Sequence, residues 1–179
     1  MRTFIAIELP QDIKDSLSAL QDKLKTAPAE VRWVKHENIH LTLKFLGEID
    51  AKQLDKIKLI LQEVARDHHE FKTRVSTLGV FPNLNYPRVI WVGLDKNDEP
   101  VQKIVQDLEE KIAKLGIAKE KRTFTSHITI GRVKLGKFIA PENQASREFT
   151  VHKITLFKST LTPGGPVYEI LQEANLKAA

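Results

Sequence analysis

Two stretches decide the architecture, His40-Leu41-Thr42-Leu43-Lys44-Phe45-Leu46 and His127-Ile128-Thr129-Ile130-Gly131-Arg132-Val133. Each alternates polar and branched apolar residues, the period-two signature of a strand with one face in a core and the other facing something polar. His40 and Thr42 share a face against Leu41 and Leu43, and His127 and Thr129 repeat the arrangement against Ile128 and Ile130. The histidines lie 87 residues apart, and the same offset carries Phe4 onto Trp91 and Leu17 onto Ile104.

Working outward, Phe4 to Leu9 reads as a buried strand, and Pro10 opens a helix on Ile13, Leu17, Leu20 and Leu24. A short strand is predicted over 31–34, a second helix on Leu54, Ile57, Leu61 and Val64, and a strand from Phe71 toward Val80. After the loop FPNLNYP the pattern restarts, with a strand over 89–94 and a helix on Val101, Ile104, Val105, Leu108, Ile112 and Leu115. A strand over about 124–133, a loop with a helical turn over 137–146, one strand over 149–158, a turn at TPGGP and a last strand over 167–174 complete the expectation. The single offset implies duplicated halves, about 1–80 and 88–179, packed as two lobes about a pseudo-twofold axis, with strands free to exchange between lobes.

A chain of 179 residues suits one such bilobal domain, and 41% hydrophobic with 28% charged residues is the composition of a folded protein. The net charge of +5 suits a phosphate-bearing or nucleic-acid partner without identifying one. With no cysteine there is no disulfide, thiol nucleophile or cysteine-held metal. MRTFIAIELP, with one arginine and an apolar run that meets Pro10 at once, reads as neither a secretory signal nor a membrane span, so a cytoplasmic location is expected.

The chemistry lies in the two polar faces. A neutral imidazole removes a proton, an imidazolium donates one, and threonine hydroxyls bond to phosphate oxygens. Two such pairs across a cleft form an acid-base clamp on one phosphate, and neither strand carries a metal-ligand pattern, so no metal and no cofactor are expected. Lys44 shares the parity of His40 and Thr42 and is a candidate phosphate-binding cation. Strict alternation turns Arg132 away from the polar face, but a bulge at Gly131 would bring it back. His36, His68, His69 and His152 have no matching motif and read as surface or structural residues. Trp33, Trp91, Phe45 and Tyr168 are candidates either for core packing or for stacking on a base.

RTFIAIELP, ENIHLTLKFLGEI, PRVIWVGL and SHITIGR together resemble the two-histidine phosphoesterases, specifically the RNA 2′,3′-cyclic phosphodiesterases also called 2′-5′ RNA ligases, over essentially the whole chain. The resemblance implies an α+β fold of two antiparallel sheets with flanking helices around a basic cleft. It also implies hydrolysis of RNA 2′,3′-cyclic ends to 2′-phosphomonoesters, with reversible 2′-5′ ligation in some members and tRNA cleavage products among the substrates. By the same resemblance His40 is the proton donor, His127 the acceptor, Thr42 and Thr129 hold phosphate oxygens, and Arg132 lies near the substrate. The family's proline before the second histidine is Ser126 here, which removes a backbone restraint from the approach to His127. An RNA-end binding module with little turnover and a small-molecule cyclic phosphodiesterase are the alternatives.

Overall fold

The computed structural model describes residues 1–96, 98–138 and 145–179. In order these form β1 (Arg2–Glu8), α1 (Gln11–Leu24), β2 (Ala29–Trp33), a 3-10 turn (His36–Asn38), β3 (His40–Glu48), α2 (Ala51–Asp67), β4 (Phe71–Phe81) and β5 (Val89–Lys96). There follow α3 (Asp98–Ala113), β6 (His127–Gly136), β7 (Phe149–Val151), β8 (Lys153–Thr162) and β9 (Gly165–Asn175). Two sheets result, ordered β3-β1-β8-β9 and β2-β6-β5-β4-β7, and each ladder between these strands is antiparallel. Among the described residues no helix is long and apolar enough to cross a membrane.

The 87-residue offset carries β1, α1 and β3 onto β5, α3 and β6, and the sheet orders match when β3-β1-β8-β9 is laid beside β6-β5-β4-β7. The third strand of each comes from the other half of the chain: β8 pairs with β1, and β4 with β5, to which it is joined by a short loop. The helices cross over as well, since α1 packs against β6 and α3 against β3. One continuous core of buried aliphatics, including Ile5, Leu41, Ile57, Ile104, Leu108 and Ile128, therefore joins both sheets to all three helices. α2 begins immediately after β3 because Asp50 and Gln53 form a reciprocal capping box, which satisfies two amide groups that the first helical turn would otherwise leave unpaired.

Two strand expectations change. The strand read over 149–158 is two strands, because at His152 the chain leaves one sheet, where β7 pairs with β4, for the other, where β8 pairs with β1. The strand read from about 124 begins at His127, since the residues before it bond to α3: Gln102 Nε2 donates to Phe124 O at 3.3 Å, and the Ser126 hydroxyl donates to Asp98. The expected helical turn within 137–146 falls mostly outside the described residues.

Both histidine strands carry the same bulge. Against β1, Ile5 pairs with Lys44 and Ala6 with Thr42, so Leu43 is an extra residue; against β5, Ile90 pairs with Gly131 and Trp91 with Thr129, so Ile130 is extra. A one-residue excess reverses side-chain parity beyond it. Lys44 therefore turns into the core rather than the cleft, contrary to the alternation read from sequence. Its ammonium donates to Glu109 Oε2 at 2.8 Å and to Ala118 O at 3.2 Å, with 3% of its side chain exposed. The equivalent residue on β6 is Gly131, where a Cβ would lie 2.8 Å from Val31 Cγ1 and 3.0 Å from the Trp33 ring, so glycine is what lets β2 close over the bulge. Ile130 O stays satisfied by Val34 N at 3.0 Å and Gln21 Nε2 at 2.8 Å.

Glu109→Ala strands the Lys44 ammonium in the interior and is expected to lower unfolding free energy by about 3–5 kcal/mol in urea titrations. Combining Lys44→Met with Glu109→Leu should recover most of that loss, and Lys44→Met should leave turnover unchanged, as befits a lysine outside the cleft.

Candidate active site

His40 enters β3 directly from the 3-10 turn, and that geometry fixes its ring. Nδ1 lies 2.6 Å from Asn38 O, an acceptor only, so Nδ1 carries the proton and Nε2 is the exchangeable nitrogen. Thr42 Oγ1, two residues on and on the same face, is 2.8 Å from Nε2 and donates to it in the neutral ring. Phe4 stacks on the imidazole at 4.9 Å, and Tyr168 of β9 meets it edge-on at 5.3 Å. Burial in this aromatic cradle pushes the imidazole pKa down from 6.5 to about 4; the Asn38 carbonyl and Glu8 oppose the shift, and Lys14 adds to it.

The second strand repeats the device with different side chains. His127 Nδ1 donates to Thr125 O at 2.8 Å, again the carbonyl two residues earlier. Trp91 occupies the place of Phe4, 6.3 Å from the imidazole, and Phe81 stacks on Trp91 at 4.8 Å and meets His127 edge-on at 5.3 Å. The indole fits only because position 79 is glycine: a Cβ there would sit 2.3 Å from Trp91 Cζ2. The bond from Ser126 to Asp98 at the head of α3 holds the approach to His127, supplying a restraint where the resembling family has proline.

The bulge returns Arg132 to the His127 and Thr129 face, the outcome expected of an irregularity beside Gly131. Its guanidinium lies near enough to Tyr168 of the other sheet to favour ionisation of that phenol, although burial prevails and raises the pKa. Tyr168 touches His40, and β3 packs against β6, so the two histidine strands are neighbours across the two sheets. Phe45, at the position equivalent to Arg132, is 66% exposed. The structure thus joins His40 to Thr42, brings Arg132 within electrostatic reach of Tyr168 beside His40, and removes Lys44 to the core.

Sequence reasoning missed Asn38. Its carbonyl sets the His40 tautomer, and its buried side chain donates to Pro166 O at 2.9 Å, holding the strand that carries Tyr168. The corresponding carbonyl belongs to a threonine, so side-chain matching between the repeats has nothing to align. Of the other histidines, His36 lies 2.7 Å from Asp15, His68 3.2 Å from Asp107, and His69 3.2 Å from Ala178 O. Among the described residues no group of three or more histidine, aspartate or glutamate side chains converges as a metal site would require.

Comparison with known proteins agrees with this geometry. A family model described as LigT-like phosphoesterase matches residues 7–91 and again 92–168, one match to each repeat. The RNA 2′,3′-cyclic phosphodiesterase of Methanocaldococcus jannaschii is 37% identical, with 97% of this chain and 99% of that protein covered. Among solved structures, a Thermus thermophilus protein, TT0787, superposes with a TM-score of 0.86 at 28% identity, over 99% of both chains. Escherichia coli LigT in complex with 3′-AMP gives 0.84 at 28% identity, over 98% of this chain and 97% of that one. Two bulged histidine strands in a duplicated fold, and sequence similarity along nearly the whole length, make this chain a member of the LigT-like phosphoesterase family.

Proposed function

We propose that the protein hydrolyses 2′,3′-cyclic phosphodiesters at RNA ends to 2′-phosphomonoesters, the activity for which its curated relatives are named. The observation that carries the reading is the pair of His-x-Thr faces, each with its imidazole held through Nδ1 so that Nε2 meets the ligand. His127 Nε2 takes a proton from water as the water oxygen bonds to phosphorus; the bond from phosphorus to O3′ breaks, and His40 Nε2 delivers a proton to the departing O3′. Thr42, Thr129 and Arg132 stabilise the charge that gathers on the non-bridging oxygens. RNA fragments from tRNA cleavage are the proposed physiological ends, in the cytoplasm, with no obligate protein partner. A 5′-hydroxyl in place of water would give 2′-5′ ligation by the same residues.

His40 is neutral in the free protein at pH 7, whereas a donor must be charged. With a pKa of about 4, protonation at that pH costs about 4 kcal/mol. A phosphate anion roughly 4 Å away at an effective dielectric near 20 returns about the same amount. Substrate therefore charges its own acid, and the donor role belongs to the complex rather than to the free protein.

His40→Ala and His127→Ala should each lower kcat by about 10²–10⁴-fold with the fold intact by circular dichroism, and EDTA should leave the wild-type rate unchanged. Retention of more than about a tenth of the rate in either variant would contradict the assignment. NMR of the product from adenosine 2′,3′-cyclic phosphate should show only the 2′-phosphate, and a 3′-phosphate would reverse the leaving oxygen.

The His40 Cε1 proton should titrate near pH 4 in the free protein and distinctly higher with 2′-AMP bound. Between the folded value of about 4 and the ordinary 6.5 the unfolded chain holds a proton that the native protein lacks. Stability should therefore fall as pH drops through that window, by an upper limit of about 3 kcal/mol, and His40→Asn should flatten the dependence.

A further inference from the structure

Beside His40 lies a cavity of about 250 Å³, shared between β9, the 3-10 turn, the head of α1 and the end of β1. We propose that it seats the nucleotide immediately 5′ of the cyclic end, which makes the preferred substrate an oligonucleotide end rather than a mononucleotide. The proposal rests on the reading of the histidine pair given above and extends it by one residue of substrate.

The stereochemistry of the substrate sets the direction. A 2′,3′-cyclic phosphate occupies both lower hydroxyls of its ribose, so the RNA chain continues only through O5′. His40 and Tyr168 line both the cleft and the cavity, so a chain leaving the ribose by O5′ passes directly from one into the other. The volume is small beside the roughly 300–1,000 Å³ of sites for drug-sized ligands, enough for one base and too little for a run of them.

The lining suits that occupant in three respects. Ile170 of β9, 48% exposed, shares a strand face with Tyr168 and gives an apolar seat for the face of a base, with Phe157 as its cross-strand neighbour. Lys14 and Lys35 stand on the rim from two different elements; among the described residues neither has a carboxylate partner, Lys14 reaching only Glu37 O at 3.5 Å. A phosphodiester entering the cavity would supply the missing counter-charge. The Glu8 carboxylate is turned to Lys153 at 3.1 Å and Thr155 at 3.3 Å, which weakens its repulsion of a phosphodiester. The Glu37 carboxylate remains as an acceptor for a 2′-hydroxyl, the group that separates RNA from DNA.

The test compares kcat/KM on adenosine 2′,3′-cyclic phosphate, on ApA ending in the same cyclic phosphate, and on the trinucleotide ApApA with that end. Wild type should prefer the dinucleotide over the mononucleotide by about tenfold or more, the order expected from one base seat and one phosphate contact, with little added by the third residue. In Lys35→Ala and, separately, Ile170→Asp, both at exposed positions that the fold does not need, the ratio of dinucleotide to mononucleotide should collapse toward one. Equal kcat/KM on the mono- and dinucleotide in wild type, or a ratio unchanged in both variants, would overturn the proposal while leaving the hydrolytic reading intact. If none of the three substrates is hydrolysed, the histidine-pair reading itself fails, and the subsite falls with it.

Discussion

The extra residue in each histidine strand decides which side chain beyond the threonine joins the histidine face. A regular strand would present His, Thr and then the residue two further on, which is Lys44 in one repeat and Gly131 in the other. By inserting Leu43 and Ile130 into the count, the bulges send those positions inward and bring Phe45 and Arg132 out. The first repeat thereby exchanges a cation for an exposed aromatic ring, and the second gains its guanidinium. The buried Lys44 to Glu109 pair is the corollary: an ammonium forced into the core needs a carboxylate there, and α3 provides it.

Duplicated geometry does not give duplicated chemistry. Both rings are oriented by a main-chain carbonyl two residues earlier, so orientation survives any change of side chain. What packs around each ring differs between the repeats. Phe4, Phe157 and Tyr168 enclose His40, whereas Trp91 and Phe81 border His127 from one side of its own sheet. The two rings therefore share an orientation and differ in their surroundings.

Much of this was legible in the sequence because strand alternation and helix periodicity are local. The His-x-Thr faces, the three helices and the pairing of Phe4 with Trp91 all follow from spacing. What escaped depends on partners distant in sequence. Nothing local to Lys44 shows that Ile5 will pair with it and leave Leu43 over. The break at His152 marks a change of sheet, and the strands on either side look alike in hydrophobicity. Asn38 acts through its main chain and through a bond to Pro166, 128 residues away, so neither role has a pattern in composition.

The exchange of third strands has a consequence for how the chain acquires its structure. β1 is among the first segments synthesised, yet its second hydrogen-bonded neighbour, β8, emerges only after about 150 further residues. One edge of β1, with Phe4, Ile5 and Ala6 along it, must wait unpaired through most of synthesis, while the sheet that contains β4 and β5 can zip up locally. High contact order of this kind slows folding and exposes a hydrophobic strand edge to other chains. The sheet that carries His40 therefore cannot be completed until nearly the whole chain is available.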